Sequence, residues 1–338
     1  MKTIINRVVL ILLAAFLSTA LAGTARAELS ELKVERAYGI AYLPLMLMER
    51  DKLIEKHARA LGLPDVKITW VTFGSGSALN DALLSGSLQI AVGGTPSLIT
   101  LWSKTRGNME VRGIASMSSM PIYLDSNNPK VKTIADFTSQ DRIALPGVKI
   151  SVHAVTLEMA AAKLWGQANY AKLDPLTVTL SHPEGMVALI NGSSGITAHF
   201  TSPPFQNEEL QKPGIHRVLD SYDVLGGPHS FSVAWTSRQF HDQNPELYKA
   251  FLDALKEAMV MIENNKKDAA QCYLQISKDN LPLNQVVQML NDPESRFTTT
   301  PEKTMQYANF MYQVKSITTK PNTWKDLFFP EIHGASGS

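Results

Sequence analysis

The chain has 338 residues, 44% of them hydrophobic, with 32 basic and 31 acidic side chains for a net charge of +1. That balance argues against nucleic acid or an anionic membrane as partner, and the length suits two lobes better than one core. A single cysteine, Cys272, excludes an intramolecular disulfide; in the helix-like run Lys266–Ser277 it reads as a small packed hydrophobe.

Residues 1–27 read as a cleavable secretory signal. Lys2 and Arg7 precede the apolar run Val8–Ala22, and Ala25-Arg26-Ala27 fits the small-x-small cleavage pattern, which makes Glu28 the expected mature start. The run is shorter than the ~20 residues of a bilayer span. Thr24 follows Leu21-Ala22-Gly23 where a lipoprotein would carry cysteine. A freely diffusing exported protein is expected, periplasmic in a bacterium with an outer membrane. Cleavage removes Lys2, Arg7 and Arg26 and no acid, leaving 29 bases against 31 acids and a net charge of −2.

The mature chain opens with a strand-like Leu32–Tyr38, a break at Gly39–Pro44 and helical spacing over Leu45–His57. Tyr42, in the break, is placed to overhang a pocket or to pack. Ile68–Phe73 and Leu88–Val92 are strand-like, and each ends in a small-residue turn, Gly74-Ser75-Gly76-Ser77 and Gly93-Gly94-Thr95-Pro96, that opens an apolar-periodic helix. Thr95 suits an N-cap and Pro96 the first helical position. Val111–Ser116 is a further strand. Met117–Asn128 then changes character and reads as a crossing to a second lobe. There Arg142–Leu145 ends in a turn before Ser151-Val152-His153 and the helix Ala154–Leu164. Leu176–Leu180, Glu184–Ile190, Ile196–Phe200 and His216–Leu219 continue the strand–turn–helix plan, with Thr201-Ser202-Pro203-Pro204 after a strand. Asp223–Pro228 reads as the return crossing, Phe231–Thr236 as a strand, and the pattern from Asn244 on is helical. This divides the chain into residues 1–27, a first lobe at 28–120, a second at 121–226 and a return to the first at 227–338. Two crossings make a hinge and a closable cleft.

The two turns within Trp70–Trp102 set helix N-termini at the carboxyl ends of neighbouring strands, where unpaired N–H groups and the macrodipole favour a small anion. The eight histidines form no H-E-x-x-H or other close metal pair, and the sequence holds no nucleophile elbow, P-loop or full dinucleotide fingerprint. Asp81 and Glu158 suit helix-dipole pairing or solvation, and Arg112, Arg142 and Arg238 suit ion pairs. What remains is a set of hydroxyl and glycine turns, binding chemistry without a nucleophile's base. The candidate ligand-binding residues are Tyr42, Ser75, Gly76, Ser77, Gly94, Thr95, Ser151, His153, Thr201 and Ser202. No catalytic residue, metal or cofactor is expected.

Gly39–Pro44 with Leu45–Met48, Trp70–Gly76, Leu83–Ile90 before Gly93-Gly94-Thr95-Pro96, Val131–Phe137 ahead of Arg142–Pro146, and Ser202-Pro203-Pro204 together resemble the nitrate/taurine/aliphatic-sulfonate group of periplasmic substrate-binding proteins of ABC importers. The resemblance implies an α/β, two-lobed, type II periplasmic-binding fold with mainly parallel sheets and a ligand cleft at the hinge. It implies a monomeric, non-catalytic protein that captures a small anion and delivers it to an inner-membrane permease with its ATPase. By position, Ser75, Gly76, Ser77, Gly94 and Thr95 match first-lobe binding turns, and Ser151 with Thr201-Ser202 second-lobe ones. Phe200–Pro203 and Val148–His153 depart most from relatives, which puts ligand specificity there. Aromatic carboxylates and pyrimidine-type nutrients are the alternative ligands, and a sensor or an enzyme of the same fold the alternative roles.

Overall fold

The computed structural model describes residues 28–73, 76–192 and 194–338. The expected signal segment, Gly74, Ser75 and Ser193 lie outside the described residues, as does the side chain of Ser77. Strand β1 (Glu31–Glu35) leads through a single 3-10 turn, Ile40–Tyr42, into α1 (Leu43–Arg50) and α2 (Leu53–Ala60). The one helix expected over Leu45–His57 is two, because Lys52 takes a left-handed φ of 51° between them. Then come β2 (Lys67–Val71), α3 (Gly76–Leu84), β3 (Ala91–Gly94), α4 (Thr95–Lys104) and β4 (Arg112–Ser119). Gly93 and Gly94 thus finish a strand rather than form a turn, and Gly94, not Thr95, is the N-cap of α4.

The next strand, β5 (Tyr123–Ser126), begins a second sheet with β6 (Ile143–Leu145), β7 (Thr177–Thr179), β8 (Ala198–Thr201) and β9 (His216–Asp220). Helices α5 (Val152–Trp165), α6 (His182–Asn191), α7 (Phe205–Leu210) and α8 (Ser221–Leu225) accompany it. The chain returns as β10 (Ser230–Thr236), followed by α9 (Arg238–Gln243), α10 (Pro245–Asn264), α11 (Lys266–Ser277), α12 (Leu283–Leu290) and α13 (Thr304–Gln313).

The two sheets share one plan. The second runs β7-β6-β8-β5-β9. In the first, β2 pairs with β1, and β10 lies between β3 and β4. A parallel bridge from Val34 to Ile90 joins these pieces, giving β2-β1-β3-β10-β4. The βα units supply the parallel pairs, β1 with β2 and β6 with both β7 and β8. The antiparallel pairs all involve β5 or β10, the strand that follows each crossing. Those crossings lie side by side. The Ser221 N–H donates to the Ile122 carbonyl at 3.0 Å, the Ile122 N–H donates to Ser221 Oγ at 3.0 Å, and Ser221 Oγ meets His229 Nε2 at 2.9 Å. All of Ser221 and His229 is buried.

Packing follows from the sequence pattern. Helix α10 buries Leu247, Phe251, Leu255, Ala258 and Ile262, a stripe at helical spacing that lies on α1 and α2. Cys272 is fully buried, as its helical context suggests, and burial pushes its thiol up to about 12. Helix α13 rests on both α4 and α5, and Tyr307 Oη meets Thr156 Oγ1 at 3.0 Å. Among the described residues no helix is long and apolar enough to cross a membrane.

Gly113 of β4 faces the ring of the fully buried Phe328, which a Cβ would overlap. Gly113→Ala should therefore cost about 1–3 kcal/mol by overpacking. The expected readout is a lower urea midpoint at unchanged m.

Candidate functional site

The carboxyl ends of β1, β3, β6 and β7 open on one gap between the sheets, the usual ligand position in open α/β folds. A cavity of about 130 Å³ occupies it. One wall carries Glu35, Tyr42, Phe73, Leu79, Val92, Gly93, Gly94 and Ser97, with Phe231 and Trp235 from β10. The other carries Pro146, Gly147 and Ile150–His153 at the start of α5, and Ser181-His182 at the start of α6. The halves touch here. Ser97 Oγ donates to the Ile150 carbonyl at 3.2 Å. A Cβ on Gly94 would lie 2.8 Å from Val152 Cβ.

The expected site residues divide. Tyr42, Gly94, Ser151 and His153 line the cavity. Ser151 Oγ is engaged as the N-cap of α5, accepting from the Ala154 N–H at 3.2 Å. Thr95 is fully buried, and its Oγ1 donates to the Ser230 carbonyl at 2.9 Å instead of facing the gap. Thr201 lies behind the wall, its Oγ1 at 2.8 Å from His182 Nδ1, where it can fix that ring. Ser202 is buried beside the Gly39 turn, away from the cavity lining. Gly76 begins α3, and Ser75 and the Ser77 side chain lie outside the described residues.

Sequence reasoning missed Glu35 and His182 as site groups. Leu32 and Val34 point into the core, so alternation places Glu35 on the opposite face; yet it is only 6% exposed. Its Oε2 accepts from the Val92 N–H at 2.9 Å. Burial outweighs that bond and pushes the carboxyl up to about 8. The available signal was an acid at the carboxyl end of a strand, just before a glycine turn.

The histidines have the opposite shift. Burial first, then the neighbouring His182, His199 and His229, holds His153 well below the usual imidazole range. Neither ring nitrogen of His153 has a partner among the described residues. Trp235 Nε1 is likewise buried and unpartnered there. The His153 ring meets His182, Phe200 and Phe231 edge-on at centroid distances of 5.0, 5.4 and 5.7 Å, and His182 stacks on Phe205 at 5.5 Å.

Behind this layer His199 Nδ1 meets Glu209 Oε1 at 2.6 Å. The geometry is that of an ion pair, but burial drives His199 down to about 3 and Glu209 up to about 9, so the contact is a neutral hydrogen bond. Asp125, beside Glu209, is raised to about 9 by burial and then by that neighbour. Glu158 is also buried, and burial raises it to about 8; the helix-dipole or solvated role expected for it gives way to a protonated one. Arg112 pairs with Glu110 and Arg238 with Asp242, whereas Arg142, also expected in an ion pair, donates its Nη1 to the Ser139 and Asp141 carbonyls. Among the described residues no lysine or arginine lines the cavity, and no group of three His, Cys, Asp or Glu could hold a metal.

Glu35 makes stability depend on pH in a stated direction. Between its ordinary value of 4.5 and about 8, the folded chain holds a proton that the unfolded chain has lost. That contribution is complete below the unfolded value and disappears as pH rises through the folded one. Glu35→Gln, which does not titrate, should therefore gain on the wild type by upwards of ~1 kcal/mol between about pH 5 and about pH 9. Paired thermal melts across that window check it.

No family model matches the sequence, and no curated protein is similar to it by sequence. Solved structures are similar to it in fold. The periplasmic aliphatic sulphonate binding protein of Escherichia coli is 18% identical with a TM-score of 0.64, covering 89% of this chain and 92% of its own. The periplasmic nitrate-binding protein of Synechocystis is 16% identical with a TM-score of 0.65, covering 91% and 84%. A Candida albicans gene product, described as exhibiting the generic periplasmic binding protein structural fold, is 15% identical with a TM-score of 0.65, covering 88% and 96%. With its two sheets on one plan and its cavity between them, this chain has the periplasmic binding protein fold.

Proposed function

We propose that the chain is the solute-binding component of an ABC-type import system. It is exported by its first 27 residues, captures a small molecule between the two lobes as a monomer, and delivers it to an inner-membrane permease with its ATPase. The lobes are residues 28–120 with 227–338, and 121–226. The observation that carries this reading is the cavity itself: both sheets wall it, and the Ser97–Ile150 bond spans it. Two adjacent crossings, tied through Ser221, supply a hinge about which such a pair of lobes closes. Two proteins of similar structure, a sulphonate-binding and a nitrate-binding protein, support a capture role.

A small sulfonate- or nitrate-like anion is a second reading. It is favoured by the starts of α4, α5 and α6 at the cavity wall, each an end of partial positive charge. Tyr42, Gly94, Ser151 and His153 would contact the ligand, and Thr201 would act through His182.

Closure is directly measurable. Small-angle scattering and Trp235-dependent fluorescence should report compaction with one class among alkanesulfonates, taurine, nitrate, aromatic carboxylates and pyrimidines. No response across that panel would count against capture. Gly94→Ala should hold the lobes apart, because its Cβ would lie 2.8 Å from Val152 Cβ. It should weaken the responding solute by about tenfold, or ~1.4 kcal/mol, while leaving the melting temperature nearly unchanged.

A further inference from the structure

The cavity lining carries its own statement about ligand charge. Its carboxyl, Glu35, has one hydrogen-bond partner among the described residues, the Val92 N–H. Tyr42, Phe231 and Trp235 give it aromatic walls. An oxyanion placed there would find no fixed cation among the described lining residues and could use Glu35 only as a protonated donor, whereas a cationic base can take the carboxylate as its partner. Of the three helix starts at the wall, that of α4 is covered from the other side. The approach that Gly94 permits is taken by Val152, whose backbone nitrogen would be 3.2 Å from a Cβ on Gly94. At about 130 Å³ the space suits one ring; an engineered apolar cavity of about 150 Å³ binds benzene. The polar groups of the lining include the Glu35 carboxyl, held only by the Val92 N–H, the two unpartnered nitrogens of a neutral imidazole, an unpartnered indole N–H and the Tyr42 hydroxyl.

We infer that Glu35 is the ligand-recognising carboxyl of the cavity, and that the site takes a single-ring nitrogen base, an amidine or an amino-substituted heteroaromatic, whose paired N–H groups it accepts. The inference rests on the capture reading and names the class of solute captured. His153 offers one donor and one acceptor, and Trp235 one donor, to the remaining edge. A carboxylate with two parallel N–H groups is the strong, planar pairing. A cationic base binds Glu35 as the carboxylate, so its proton passes to the buffer. Near neutral pH close to one proton should leave for each cation bound, because the empty cavity holds the carboxyl protonated.

The test is calorimetric titration of the protein and of Glu35→Gln with benzamidine and 2-aminopyridine, and with nitrate, ethanesulfonate and benzoate. Wild-type protein should prefer the two bases and release a proton with benzamidine, measured in two buffers of unlike ionisation enthalpy. Glu35→Gln should lose about ten- to a hundredfold in affinity for benzamidine. Tighter binding of any of the three anions than of either base overturns the inference and leaves capture standing. Silence from all five probes overturns both. A base that binds without proton release and equally well to Glu35→Gln removes Glu35 from recognition. Should the variant not fold, the proton count on the wild type decides alone.

Discussion

Two backbone segments from different halves of the molecule come together at Gly94 and Val152, and the shape of the site depends on that approach. A side chain at position 94 would hold α4 and α5 apart, because its Cβ would sit 2.8 Å from Val152 Cβ. With glycine there, the lobes close far enough for Ser97 to reach Ile150. The remaining space shrinks to the size of one ring. The contact that joins the two halves thus also sets the volume they enclose. Glycine's usual service to a ligand, a bare backbone to lie against, goes here to the opposite wall.

Much of the architecture was legible from periodicity. Alternating strands and helices and the helical tail follow from spacing, because a strand or helix that buries one face must repeat its apolar residues accordingly; Met117–Asn128, read as a crossing, instead holds the end of β4 and all of β5, and Asp223–Pro228 the end of α8. The second helix of the first βα unit was not legible: nothing in Leu45–His57 marks Lys52 as left-handed. The site was read less well. Hydroxyls at turns look alike in a sequence whether they face a ligand or cap a helix. Thr95, Ser151 and Thr201 all turn out to be engaged by the protein itself. Glu35 was hidden by strand alternation, which holds for a residue inside a sheet and fails where the strand ends at a cleft.

The electrostatics of the second half are those of a dry interior. Burial pushes carboxyls and imidazoles both toward neutrality, so Asp125, Glu209, His199 and His182 sit together without net charge. His199 packs so closely on Gly185 that a Cβ there would lie 2.5 Å from Nε2. This packing fixes the position of His182 through Thr201 and the stack with Phe205. That side of the cavity wall is therefore backed by packed and hydrogen-bonded side chains.

The sequence discontinuity of the first sheet has a consequence for how the molecule is made. Strands β5 to β9 are contiguous in the chain, so that sheet contains all its members by Asp220. The other sheet waits for β10, which inserts between β3 and β4 after an excursion of more than a hundred residues. Such distant pairing is slow, because a long loop must close before any contact rewards it. During synthesis the amino-terminal half therefore emerges first yet matures last, and β3 and β4 present bare edges until the return segment arrives.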